Sequence, residues 1–304
     1  MVTTPRSLID SVVRSVCGRE VERLVPLAGG GMNETYRVEL AGDDAVVVRI
    51  ARQEVPWFVD EAYLMTEARA VGVPTAEVLG LEHLDHDGRL LSFSVQQFLP
   101  GRSLDELVGE LSAAELERLV LDAGEILARV HSVGLEDRGV RHVLRLPEEH
   151  EITRVAGIVR EAFGSAEAAV VERGAEFLRR QVTTRAAPPV SLVHGDFCPK
   201  NLLIHDGAVV GIIDWEFAGR TAPAYDFAQW EVDAGDVLQD RLDLIRRGYA
   251  RIADPESAEA GWTPPFAIDW ALEKLGWKNP ASPAQARRCL DVIARYTTPW
   301  TQGG

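Results

Sequence analysis

A chain of 304 residues with 46% hydrophobic and 26% charged residues has the composition of a globular enzyme and the length for two separately packed lobes. Its formal net charge of −15 argues against a nucleic-acid partner, since neutralising phosphates needs a basic face, and its spread along the chain reads as general solubility. No apolar run reaches the roughly 20 residues of a membrane span, Met1 to Asp10 lack the apolar centre of a signal peptide, and three scattered cysteines (Cys17, Cys198, Cys289) make no disulfide framework, which together point to the cytoplasm and to no membrane partner.

In chain order, Leu8, Val12 and Val16 fall at helical spacing and predict an opening helix within residues 7–24. Gly29-Gly30-Gly31 lead into an alternating strand that runs to Leu40, Asp43-Asp44 form a turn, and the valine-rich run Ala45 to Ile50 is the next strand. Residues 58–71 read as a helix stopped at Val73-Pro74, and 78–82 and 90–98 as strands. Residues 1–99 are thus a small, mainly β lobe, and Leu99-Pro100-Gly101 breaks the chain. In the remainder, 100–304, helical patterns cover 103–133, with Ser112 as a cap ahead of Glu115, and 150–181. Further helices are expected over 226–252 and 284–296, separated by a Pro- and Trp-containing stretch at 261–283. The expected class is α+β, with a β-rich N-terminal lobe and a larger helical C-terminal lobe.

The chemistry concentrates in His194-Gly195-Asp196-Phe197-Cys198-Pro199-Lys200-Asn201, followed by Ile213-Asp214-Trp215-Glu216. Between them two short β segments are joined by an Asp206-Gly207 turn, so a hairpin is expected to hold Asp196, Asn201 and Asp214 near one another. One carboxylate there can take the proton of an attacking hydroxyl, while an amide oxygen and a second carboxylate suit a hard divalent cation. The chain has no Gly-x-x-x-x-Gly-Lys-Ser/Thr segment, which excludes a P-loop as its nucleotide site. Cys198 follows His194 by four residues, but no second Cys/His pair matches it, which argues against zinc.

This order and spacing resemble the aminoglycoside phosphotransferase and choline kinase family, a branch of the protein-kinase-like fold, from about residue 25 to about residue 230. The resemblance implies a bilobal kinase that uses ATP or GTP with Mg²⁺. Asp196 would be the catalytic carboxylate, with Asn201 and Asp214 the metal ligands. Arg49, in Val46 to Ile50, stands where protein kinases place lysine; it keeps the charge and can fork onto phosphate oxygens. Its helical partner would be Glu61, with Glu67 the fallback. Gly30 and Gly31 would bring backbone N–H groups to the phosphates, and the backbone at Gln97 and Leu99 would meet the adenine edge. Asp226, in Tyr225-Asp226-Phe227-Ala228, would support the catalytic loop from below, with His131 packed behind it and His194 bracing it. Lys200 either reaches the transferred phosphoryl group or is a solvated lysine, and Glu216 either touches metal or substrate or fixes the loop.

No long segment separates Asp214 from Asp226 to act as an activation loop, so the expected partners are a nucleoside triphosphate and a small-molecule alcohol, not a protein. Family resemblance favours an antibiotic as acceptor. A metabolite kinase acting on an amino alcohol, sugar or homoserine-like substrate is the alternative, and a nucleotide-binding pseudokinase a third, motivated by Arg49. Trp230, Trp262, Trp270, Trp277 and Trp300 either build core or wall a pocket, which leans towards a heterocyclic or apolar drug. Glu231, Asp233 and Asp236 either bind an amine or form a solvated helix face.

Overall fold

The structure, a computed structural model, describes residues 4–27, 33–42, 44–51, 57–134, 140–141, 144, 146–276 and 282–298. In chain order the elements are α1 (Arg6–Cys17), β1 (Val21–Pro26), β2 (Glu34–Leu40), β3 (Asp44–Ala51), α2 (Trp57–Ala70), β4 (Val78–His86), β5 (Arg89–Gln97) and β6 (Arg102–Ser103). Then come α3 (Leu104–Leu107), α4 (Ala113–His131), β7 (Val140–Arg141), α5 (Glu149–Ala162), α6 (Ser165–Thr184), β8 (Ser191–Val193), β9 (Leu202–His205), β10 (Ala208–Ile212) and β11 (Gly219–Thr221). The chain ends in α7 (Ala224–Asp233), α8 (Gly235–Leu238), α9 (Leu242–Tyr249), α10 (Pro255–Glu259), α11 (Thr263–Leu275) and α12 (Pro283–Thr297). No helix among the described residues is long and apolar enough to cross a membrane.

Two compact units result. The first comprises Met1–Arg102 and Leu203–Glu216, the second Ser103–Leu202 and Phe217–Gly304. The boundary expected at 99/100 thus falls at Arg102/Ser103, and the β9–β10 hairpin joins the first unit. In that unit an antiparallel five-stranded sheet has the order β1-β2-β3-β5-β4. Its hydrophobic face, with Val38, Val48, Phe93 and Val95 fully buried, packs against Ile9, Val12 and Val13 of α1. Each such side chain contributes roughly 1.5–3 kcal/mol by leaving water. The hairpin is anchored to the same unit through the α2–β4 connection: the Ile212 N–H donates to the Pro74 carbonyl at 2.7 Å, and Thr75 Oγ1 to the Ile212 carbonyl at 3.0 Å.

The second unit is mostly helical. Its core gathers Val155 and Val159 of α5, Val171 and Leu178 of α6, Ala228 of α7, Ile268 and Leu272 of α11 and Ile293 of α12. Four expectations are corrected here. The opening helix stops at Cys17 instead of running to 24, because Gly18 adopts the left-handed conformation (φ 66°), after which the chain enters β1. The expected helices over 103–133 and 150–181 are each two. Ser112 starts a new helix with a reciprocal capping box, its Oγ accepting from the Glu115 N–H while Glu115 accepts from the Ser112 N–H; Gly164 at φ 115° separates α5 from α6. The stretch 261–283 contains a 13-residue helix, α11, in which Pro264 and Pro265 occupy the first turn, where the missing N–H groups would have had no partner. The run 226–252 is likewise broken at Ala234 and again at residues 239–241.

Helices α4 and α9 touch backbone to backbone. A Cβ on Gly124 would lie 2.1 Å from the Ile245 carbonyl oxygen, and one on Gly248 1.9 Å from that of Leu121. Gly248→Ala must therefore push the helices apart and should cost about 1–3 kcal/mol. Gly157, inside α5 with nothing within 4 Å of its Cβ position, provides the contrast. Gly157→Ala should stabilise by roughly 0.5–1 kcal/mol. Thermal or denaturant unfolding of the two variants should shift in opposite directions.

Candidate active site

The second unit holds the loop that follows β8. Asp226, wholly buried at the start of α7, accepts the His194 N–H at 2.8 Å on Oδ2 and the Gly195 N–H at 2.9 Å on Oδ1. His131 Nε2 lies 3.1 Å from Oδ2, and its Nδ1 is 3.2 Å from the Tyr249 hydroxyl. Three residues along α7, Gln229 grips the loop a second time: its Oε1 accepts the Phe197 N–H at 3.0 Å and its Nε2 donates to the Gly195 carbonyl at 2.6 Å. Gly195 takes φ 83°, a backbone state that a Cβ would strain. The loop is therefore held by its own peptide groups, which leaves Asp196 to be aimed.

Asp196 is 7% exposed. Asn201 Nδ2 donates to its Oδ2 at 2.9 Å and to its carbonyl at 2.8 Å, and Lys200 Nζ sits 2.9 Å from Oδ2. With the amide nitrogen of Asn201 turned to Asp196, its oxygen faces the other way, as a metal-ligating oxygen would. His194, fully buried, accepts the Asp196 N–H on Nδ1 at 3.3 Å and thus braces the loop.

The first unit holds the charged cluster around Arg49. Arg49, on β3 and 8% exposed, pairs through Nη1 with Glu61 Oε1. Its Nη2 meets Asp214 Oδ1 at 3.3 Å and Glu216 Oε2 at 3.2 Å. Glu216 Oε2 also accepts from Asn33 Nδ2 at 2.9 Å. Phe58, one turn before Glu61 on α2, lies under the guanidinium at 5.5 Å. Glu61, not Glu67, is the residue that meets Arg49. Burial pushes the Glu61 carboxyl above its ordinary range against the pull of Arg49, while Arg49 stays charged. Asp214 is a non-glycine residue at φ 67°, a costly conformation, and its side chain is 35% exposed. One guanidinium shared by three carboxylates leaves the cluster short of positive charge, as a cation site requires. Among the described residues no three His, Cys, Asp or Glu side chains are grouped so as to hold a metal ion.

The remaining expected positions divide. Gly30 and Gly31 lie outside the described residues, as do Trp277 and Trp300. Gln97 spends its backbone N–H on the Glu77 carbonyl at 2.8 Å, and the Leu99 side chain lies over Gly211, where a Cβ would come within 2.5 Å of it. Trp230 and Trp262 are buried core, whereas Trp270 is half-buried. Glu231 and Asp233 are not a solvated face: Glu231 is 1% exposed against Arg295 and Tyr296, and Asp233 pairs with Lys274. Gln229, Tyr249 and Lys274 were missed. Gln229, three residues after Asp226 on the helix, had a readable spacing; the other two had none.

The model of the phosphotransferase enzyme family named APH matches residues 23–260. The chain belongs to that phosphotransferase family. As a family member it is a small-molecule kinase whose acceptor is a hydroxyl group, on a protein-kinase-like fold. A homoserine kinase of Granulibacter bethesdensis is 24% identical over 292 residues, covering 88% of this chain and 86% of that protein. The crystal structure of aminoglycoside phosphotransferase APH(4)-Ia superposes with a TM-score of 0.66 at 17% identity, covering 99% of this chain and all of the other. A thermostable mutant of that enzyme, in ternary complex with ADP and hygromycin B, gives 0.65 at 17% identity, covering 94% and 97%.

The Asp226 contacts generate a pH prediction. Burial alone would raise this carboxyl, but the hydrogen bond and charge of His131, the charge of His194 and the Gly195 N–H outweigh it and hold it below the ordinary aspartate value. A depressed carboxylate stabilises the fold above its unfolded value, and that contribution is lost as pH falls through the folded one. Unfolding free energy should therefore decline below about pH 4. Asp226→Asn, with an amide facing donors, should cost about 2–4 kcal/mol at pH 7 and flatten that acid decline. Denaturant titrations between pH 3 and pH 7 measure both.

Proposed function

We propose that this phosphotransferase moves the γ-phosphoryl group of ATP to the hydroxyl of a small metabolite. The observation that carries the reading is the pairing of Asp196 with Asn201 on a loop whose peptide groups are locked by Asp226 and Gln229. Asp196 would orient the acceptor hydroxyl and take its proton; the oxygen then bonds to the γ-phosphorus as the bridging P–O bond breaks and ADP leaves with its electron pair. Arg49, held by Glu61, would clamp phosphate oxygens, and Lys200 would offer a second positive charge beside Asp196. Asn201 Oδ1 in the second unit and the Asp214 carboxylate in the first are each an oxygen of the kind Mg²⁺ takes, and Mg²⁺ when bound would supply charge neutralisation on the phosphates. Because the Gln97 N–H is committed to Glu77, adenine would be read by the peptide groups after it. GTP is the donor to test beside ATP. Three unpaired thiols, Cys17, Cys198 and Cys289, support a cytoplasmic enzyme.

Metabolite is favoured over antibiotic on two grounds. The homoserine kinase match runs through most of both chains. The carboxylates of α7 and its neighbours are also already matched by cations, Asp233 by Lys274 and Glu231 by Arg295, which ill suits a polycationic aminoglycoside. The antibiotic reading draws on the APH(4)-Ia likeness, which speaks for the fold.

Asp196→Ala should lower kcat by about 100- to 10,000-fold while ATP with Mg²⁺ still raises the melting temperature. Undiminished turnover would remove Asp196 from the mechanism, and no melting shift with ATP or GTP would sink the pseudokinase and kinase readings alike. In a mass-gain screen of hydroxylated metabolites against antibiotics including hygromycin B, the metabolites should gain the phosphoryl mass first.

A further inference from the structure

The cation that the phosphotransferase reading gives to the phosphates is already occupied on its open side. Nη1 of Arg49 points to Glu61 on α2, which is 4% exposed, so that side of the guanidinium faces the interior of the first unit. Nη2 carries two N–H groups, and two carboxylates meet it there, Asp214 at 3.3 Å and Glu216 at 3.2 Å. The Arg49 side chain is 9% exposed, whereas those of Glu216 and Asp214 are 16% and 35% exposed. Solvent, and any anion arriving from it, therefore reaches the guanidinium past these two carboxylates.

Both contacts are longer than the roughly 2.7–2.9 Å of a tight charge-assisted bond, so neither carboxylate is gripped as Glu61 is. Glu216 also has an anchor that does not depend on Arg49: its Oε2 accepts from Asn33 Nδ2 at 2.9 Å. If Arg49 turned to another anion, Glu216 would keep a hydrogen-bond partner, which lowers the cost of releasing it. A third carboxylate is not needed to steady Arg49, since Glu61 already fixes the guanidinium from one side and the Phe58 ring lies 5.5 Å from it. It does oppose the approach of a polyphosphate, by repulsion and by holding the same nitrogen.

We infer that Glu216 is a placeholder for phosphate: while the nucleotide site is empty, its carboxylate holds the Arg49 nitrogen that a phosphate oxygen is to take, and the nucleoside triphosphate binds by displacing it. The inference rests on the phosphotransferase reading above and adds a control on its nucleotide site. In the empty state Glu216 neutralises the guanidinium and keeps it in place. A contact that exists only in the empty state lowers the affinity of the ligand that breaks it, by the strength of that contact. Two carboxylates on one guanidinium thus act with opposite sign. Glu61 aims Arg49 at the phosphates, and Glu216 competes with them.

The test is calorimetric titration of the full-length enzyme with ATP and with GTP, once with Mg²⁺ and once with EDTA, for the wild type and three variants. Glu216→Gln should tighten the binding of the triphosphate by about 3- to 10-fold in each condition where the wild type binds. Glu216→Asp keeps the charge but withdraws it by one methylene, and it should tighten binding in the same direction. Glu61→Gln should weaken binding by about 10-fold, because Arg49 loses the partner that aims it. Where a variant fails to fold, seen in its melting curve, the others decide. Unchanged or weaker binding by Glu216→Gln would overturn the placeholder and leave the phosphotransferase reading standing. Tightening by Glu216→Gln with none by Glu216→Asp would overturn it as well, since a negative field alone then explains the effect. A wild-type enzyme that binds neither ATP nor GTP would overturn the phosphotransferase reading, and this inference with it.

Discussion

The Asp226 carboxylate is the fixed point of the second unit. It is wholly buried, a location that would ordinarily expel a charge, and it stays ionised because two backbone N–H groups and the His131 ring converge on it. Those bonds fix the peptide planes of His194 and Gly195, and Gln229 fixes that of Phe197. Asp196 stands between the two grips, so its direction is set by backbone and not by its own rotamer. The Asn201 amide then locks the carboxylate itself. In the role proposed for it, a carboxylate held this way loses little freedom when a substrate arrives, which is the preorganisation that phosphoryl transfer relies on.

The first unit solves a different problem, that of holding like charges together. Glu61, Asp214 and Glu216 share a single guanidinium. Arginine suits this better than lysine, because its planar fork addresses several carboxylates at once and keeps its charge when buried. The substitution that first suggested a degenerate kinase is thus matched to its surroundings. The left-handed backbone at Asp214 adds a cost that only a local interaction repays, and the Arg49 contact is one such interaction.

Much of this was legible in the sequence where the causes are local. The Asp206-Gly207 turn has both residues at positive φ (48° and 72°), as the dipeptide demands, so the hairpin between Asn201 and Asp214 could be read directly. The Asp87-Gly88 pair carries the same signal, with φ 54° and 72°, and explains why β4 runs on to His86, past the expected 78–82. Local signals misled where two meanings compete. Pro264-Pro265 reads as a break but opens a helix, and Val21 and Leu24 extend a helical spacing that Gly18 has already ended. Long-range partners had no local signal at all. Trp270 reaches Asp233 across 37 residues, and Tyr249 reaches His131 across 118, and nothing in either segment announces the other.

The contact between Gly124 and Gly248 gains meaning from what lies beside it. His131 ends α4 on the face that carries Gly124, and Tyr249 follows Gly248; the two side chains meet at 3.2 Å and hand their hydrogen bonding on to Asp226. Where helices touch through side chains, small errors are absorbed by rotamer changes. Here the touching atoms are main chain, which has no such slack, so the spacing of two helices acts as a gauge that sets how far Tyr249 reaches. The aim of Asp196 is thereby referred, through His131 and Asp226, to a main-chain contact between two helices.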